Sequence, residues 1–163
     1  TDPASNATFL STQVQSPGYF QLANDQALVL TIKPGDAGYF VVPVTNDWTI
    51  TKNYWDQQTS LNIAQSVASP DGSYTIVVSP TDPGVANWVS TGGLNQGTIS
   101  IRFQDLAPNG TNLPKVSSQV VALSDISTVL PAGTMYVTAA DRQAALDQRK
   151  AGYDNRFAPY PQV

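Results

Sequence analysis

Apolar residues come along this chain in short bursts separated by turn-forming clusters. Ala27-Leu28-Val29-Leu30-Thr31-Ile32 is nearly continuous and is closed by Lys33-Pro34-Gly35-Asp36. Tyr39-Phe40-Val41-Val42-Pro43-Val44 and Tyr74-Thr75-Ile76-Val77-Val78-Ser79 are rich in β-branched and aromatic side chains and too short for helices. Thr98 to Phe103 alternates, with Ile99, Ile101 and Phe103 on one face. Further strands are predicted at Tyr19–Leu22, Trp48–Ile50, Asn87–Val89 and Val116–Leu123. Pro43 cannot donate to a ladder, so its strand is expected at an edge or a bulge. Asn53 to Gln65 reads as a loop or a distorted strand, with Tyr54 and Trp55 anchored beneath it.

The pattern changes near the end. Thr138-Ala139-Ala140-Asp141 has the form of a capping box with Asp in the usual Glu position. Ala144, Ala145 and Leu146 follow, then Arg149, Lys150 and Gly152, cations and a glycine suited to a helix C-terminus. A helix is predicted over 139–151, followed by an aromatic, proline-rich tail, YDNRFAPYPQV. Roughly seven to nine short strands and one late helix predict a mainly all-β fold, an antiparallel β-sandwich of jelly-roll-like form. The expected organisation is an extended lead-in over 1–16, the sandwich over 17–137, and a C-terminal helix and docking tail over 138–163.

Composition narrows the chemistry. Among 163 residues there is no histidine or cysteine, and all 12 acids are aspartate. A Ser-His-Asp triad, a thiol nucleophile, a zinc–thiolate site and an imidazole general base are thereby excluded for the chain alone. No cofactor, metal site or catalytic residue is expected. The net charge of −4, with eight scattered cations, argues against nucleic acid. No apolar run is long enough to span a bilayer. No signal peptide is visible, although a removed leader would leave this same sequence. Charged residues are only 12%, against about 25% in ordinary soluble domains, which favours an extracytoplasmic setting (secreted, periplasmic or envelope-associated). Asn6-Ala7-Thr8 and Asn109-Gly110-Thr111 match the glycosylation pattern, for which chance in an Asn/Thr-rich chain is the simpler account.

Several pieces together carry a resemblance: Thr59-Ser60-Leu61-Asn62, Asp71-Gly72-Ser73-Tyr74 and Asp82-Pro83-Gly84-Val85-Ala86-Asn87-Trp88, within the longer run from Gly18 to Phe103. On these the chain resembles the domain of unknown function 1214 family. Its members form the C-terminal part of two-part proteins preceded by domain of unknown function 1254. The resemblance implies a jelly-roll-like sandwich and brings no activity. Gly38-Tyr39, Pro80-Thr81 and Val89-Ser90 stand where relatives often carry a basic residue, His-Arg and Leu-Asp, the polar groups one would choose for chemistry.

Asp71 and Asp82 could form a hydrolytic carboxylate pair, but Asp-Gly and Asp-Pro-Gly are also what turns require. Tyr54, Trp55, Asn62 and Trp88 are the candidate binding residues, with Trp88 expected in the core and Asn62 expected to tie a loop. Arg156, Phe157 and Tyr160 are the candidate partner-docking residues. The leading expectation is a non-catalytic module that binds or assembles, with a protein partner or as a homo-oligomer. The alternative is a carbohydrate-active protein, binding a glycan or hydrolysing it with two aspartates.

Overall fold

The computed structural model describes residues 12–107 and 110–160. Both Asn-X-Thr sequons include residues outside that set, as do Pro161 to Val163.

Among the described residues, eight strands form two four-stranded sheets. They are β1 (Val14–Gln21), β2 (Gln26–Lys33), β3 (Tyr39–Thr45), β4 (Ser60–Asn62), β5 (Tyr74–Ser79), β6 (Trp88–Ser90), β7 (Gln96–Gln104) and β8 (Lys115–Ala122). One sheet has the order β1-β7-β3-β4 and the other β6-β5-β2-β8. Most connections cross between the sheets, as in a jelly roll. The predicted sandwich is the observed fold, with one departure from pure antiparallel pairing: β5 and β6 run parallel over three residues.

The main core lies between the sheets. Phe40, Phe103, Ile32, Ile76, Val42, Val44 and Val78 are fully or almost fully buried there. A second cluster covers the outer face of the other sheet, where Ala27, Val29 and Val77 meet Val85, Trp88 and Ile126. This explains the near-continuous apolar runs of β2 and β5: both faces of those strands are buried. β7 is buried on one face only, and it alternates accordingly.

Four sequence expectations are corrected. β3 is an interior strand between β7 and β4, not an edge. Its register to β7 is the same on both sides of Pro43, and the pairing lapses at Val42 and Pro43, where the proline offers no N–H. β1 starts at Val14, inside the expected lead-in, and continues through Pro17-Gly18, since an edge strand tolerates proline. Trp48 to Ile50 is a turn, not a strand. There Asn46 Oδ1 accepts from the N–H groups of Trp48 (3.0 Å) and Ile50 (2.9 Å), and Thr49 takes a positive φ of 60°. The helix, α1, runs Ala139–Phe157, well past Gly152. An interior glycine costs a helix only about 1 kcal/mol relative to Ala, and ring contacts at Tyr153 and Phe157 hold the added turns.

The flanks of the sandwich differ. On one, the edges β4 and β6 are three residues each and are bridged by the ambiguous 53–65 segment. Gln58 and Thr59 perform the bridging. Thr59 O accepts from Val44 N (2.9 Å), and Gln58 O accepts from Ser90 N (2.8 Å). The Gln58 side-chain amide donates to Trp88 O. On the other flank, β1 and β8 are eight residues each. α1 lies over the short-edged flank.

Candidate functional site

α1 is tethered by polar and aromatic legs, not by an apolar seam. Its one buried residue is an arginine, Arg142. The Arg142 Nε donates to Asp82 Oδ2 at 2.9 Å, and Nη2 donates to Asp82 Oδ1 (3.3 Å) and Val85 O (2.5 Å). Its guanidinium also lies 5.0 Å from the centre of the Trp88 ring, a cation–π contact. Two turns on, Arg149 reaches the other sheet: Nη2 donates to Ser60 O at 2.7 Å, and Nη1 lies 3.4 Å from Tyr54 O. The helix thus spans the edges of both sheets.

The capping box starts the helix as predicted. Asp141 N donates to Thr138 Oγ1 (3.1 Å), and Thr138 N donates to Asp141 Oδ2 (3.0 Å). At the other end four rings meet. Tyr153 lies 5.6 Å from Tyr54, 5.3 Å from Trp55 and 4.5 Å from Phe157, and Tyr54 lies 5.5 Å from Trp55. The 53–65 segment and the C-terminal region, both singled out in the sequence, are therefore one place in space.

Between α1 and the sandwich runs a groove of about 710 Å³. Its sandwich wall includes Tyr54, Gln58, Leu61 and Gln65, and its helix wall carries Arg142, Arg149 and Arg156. Three of the chain's four arginines are here, at seven-residue spacing. Seven residues are close to two helical turns, so the three share a face at intervals of about 10.5 Å along the axis. Among the described residues the Asp82–Arg142 pair is the sole ion pair. Arg149 is half-buried with neutral oxygens as partners, and desolvation holds its guanidinium below the ordinary arginine range.

The groove's carboxylate, Asp141, is engaged by the helix cap. Donation from the Thr138 hydroxyl and then from the Thr138 N–H holds it below the ordinary aspartate range. A general acid requires the opposite displacement. Asp71 is likewise lowered, first by the Ser73 hydroxyl and then by the Ser73 N–H, which donate at 2.6 and 3.0 Å. Asp82 accepts from Gly84 N at 2.8 Å as well as from Arg142. Both aspartates sit in the Asx turns expected of them. Among the described residues no cluster of three His, Cys, Asp or Glu side chains could hold a metal. No helix there is long and apolar enough to cross a membrane.

The other sequence candidates fall as follows. Trp88 is 8% exposed, and its indole N–H donates to Ser79 Oγ at 3.0 Å, as expected of a core residue. Asn62 caps the short 3-10 helix Ile63–Gln65, accepting from Gln65 N at 3.0 Å, the loop-tying role. Arg156 lines the groove, Phe157 stacks on Tyr153, and Tyr160 is 70% exposed. Sequence reasoning missed the alignment of the three arginines, although their spacing was visible. It placed Trp48 in a strand, whereas the residue sits in a turn and is 81% exposed.

No family model matches the chain. No curated protein matches it. Its fold is similar to the crystal structure of an uncharacterized protein from Burkholderia cenocepacia, with a TM-score of 0.66 and 26% identity over 75% of this chain and 34% of that one. A weaker likeness, TM-score 0.47 at 16% identity, is to the VPA0106 protein from Vibrio parahaemolyticus, over 64% of this chain and 30% of that one. The chain thus matches about a third of the length of each.

Proposed function

We propose that this chain is a non-catalytic β-sandwich module that works by contact, assembling with another protein surface in an extracytoplasmic setting. The observation that carries the proposal is the Asn46–Ile50 turn. Four hydrogen bonds fix it: the two to Asn46 Oδ1, Asn46 N to Ile50 O (3.0 Å) and Thr49 N to Asn46 O (3.0 Å). It holds Trp48 81% and Ile50 61% exposed. A flexible loop would let such side chains fold back, whereas this one displays them. Tryptophan is among the side chains enriched at interface hot spots, and holding it in place beforehand lowers the entropic cost of binding.

Two further points support the proposal, one on assembly and one on setting. The similar Burkholderia cenocepacia protein is much longer than this chain, so a module of this type has neighbouring protein to contact. The sparse charge, 12% of residues, suits the extracytoplasmic setting. Membership of the domain of unknown function 1214 family is part of the same proposal and rests on the motifs quoted above.

The glycan reading has less support. The rings around Trp55 are inclined to their neighbours by 37° to 76°, so they do not offer one flat platform. The hydrolytic reading has less still, since Asp71 and Asp82 are each engaged in a turn.

Placing a photo-crosslinking phenylalanine analogue at Trp48 in the native setting tests the proposal. A discrete crosslinked protein species is expected, together with a smaller native complex for Trp48→Ala by light scattering. Absence of any discrete crosslink, with unchanged mass for Trp48→Ala, would overturn it.

A further inference from the structure

We infer that the groove beneath α1 is a binding site for a small organic anion, one carrying a carboxylate or phosphate on an apolar or aromatic body. This site lies apart from the Trp48 turn in the chain and does not depend on the assembly role.

Charge is the first argument. The chain is net −4, yet among the described residues the groove gathers Arg142, Arg149 and Arg156 against one carboxylate, that of Asp141. Arg142 is neutralised by Asp82. Arg149 and Arg156 make no ion pair among the described residues. Arginine stays protonated even when desolvated, so Arg149 keeps a charge that only neutral oxygens oppose. An oxyanion arriving beside Arg149 and Arg156 would supply the missing counter-charge, and the guanidinium fork suits carboxylate and phosphate geometry.

Shape and lining are the second argument. A volume of about 710 Å³ lies within the range of small-molecule sites, about 300–1,000 Å³. The groove is also lined by Tyr54, Tyr153, Leu61 and Ala145, surfaces for the ligand's body, and by Gln148 as a neutral hydrogen-bonding group. A few polar groups converging among apolar ones is the usual composition of such a site.

The way the helix is held points to the same use. An amphipathic helix docked for stability alone would bury an apolar stripe. α1 instead buries Arg142 and keeps Ala139, Ala140, Ala144 and Ala145 exposed. Its arginine legs and aromatic end keep it clear of the sandwich, which leaves the groove open.

The test uses the full chain and four probes: benzoate, phenyl phosphate, inorganic phosphate and the neutral isostere benzamide. Titration calorimetry and thermal melting are expected to show saturable binding of benzoate or phenyl phosphate at millimolar concentration. Binding should weaken as salt is raised, and benzamide should not bind. Benzoate preferred over phenyl phosphate would identify the carboxylate form, and the reverse the phosphate form. Inorganic phosphate should bind more weakly than phenyl phosphate, since it has no body to rest on Tyr54 and Tyr153. Arg156→Gln, at an exposed position, should weaken binding about tenfold without lowering the melting temperature. Arg149→Gln should weaken it further, and Trp48→Ala should leave it unchanged. Binding of benzamide equal to that of benzoate, indifference to Arg156→Gln in a folded protein, or no saturable binding of any anionic probe would each overturn the inference.

Discussion

Arg142 Nε donates to Asp82 Oδ2 at 2.9 Å, across 60 residues of sequence. With it the Asp-Pro-Gly turn becomes the anchor of the C-terminal helix. The same guanidinium satisfies Val85 O and covers Trp88, so one side chain closes a turn, a strand end and a core tryptophan together.

Breaking that pair should destabilise the fold unequally from its two sides. Asp82 is 34% exposed and Arg142 10%, so solvent screens part of the loss when the aspartate goes. Asp82→Asn, which keeps an acceptor for Gly84 N, should cost about 2 kcal/mol. Arg142→Ala also strips the packing on Trp88 and leaves Val85 O without a donor, at about 3 kcal/mol. In urea unfolding the double variant should cost less than the sum of the two. Strict additivity would mean the pair is not coupled.

Acid should weaken the protein through its turns and cap before it reaches the core. Asp71 and Asp141 both have folded-state pKa values below the ordinary value of 3.8. The unfolded chain therefore binds their protons more tightly, and stability falls as pH falls. Their contribution is complete above the ordinary value and is lost below it, as pH passes down through the lowered folded values. Asp71→Asn and Asp141→Asn should each flatten the fall of melting temperature with pH in that window. An unchanged slope would show that their hydrogen bonds do not discriminate between protonation states.

Two glycines should respond in opposite senses to a methyl group. A Cβ on Gly97 would lie 2.3 Å from Thr45 O and 2.9 Å from the Phe20 ring, so Gly97→Ala should cost about 1–3 kcal/mol. A Cβ on Gly152 meets nothing within 4 Å, inside a helix that glycine weakens. Gly152→Ala should stabilise by about 0.5–1 kcal/mol. Thermal melting of the two variants checks both, and the signs are the decisive result.

The sandwich was legible because its signal is local. Apolar runs bounded by Pro, Gly and Asp place strands directly, and the Thr138–Asp141 box places a helix start to the residue. What was not legible depends on partners far away in sequence. Pro43 suggested an edge, but β4 pairs across it through Ser60. Gly152 suggested a helix end, but Tyr54 and Trp55 give Tyr153 a reason to continue the helix. Trp48 suggested a strand, but the Asn46 side chain folds the segment into a turn. The candidate site was half legible: the sequence pointed to the 53–65 segment and the C-terminal region, and only the fold shows that they face each other. The arginine face was written in the spacing 142, 149, 156, yet nothing in the sequence alone says which side of α1 looks inward.

The unequal edges of the two sheets have a consequence for self-association. On the α1 side, β4 and β6 are only three residues long, too short to template another chain. On the far side, β1 contains Pro17, and β8 is eight residues long with no proline. Strand-to-strand growth between copies therefore has one productive end per molecule. A molecule with one sticky end can close a two-fold pair but cannot pass the contact onward, so such pairing should stop at a dimer and never lengthen into a fibre. Light scattering over a concentration series distinguishes the two, since a fibre has no limiting mass.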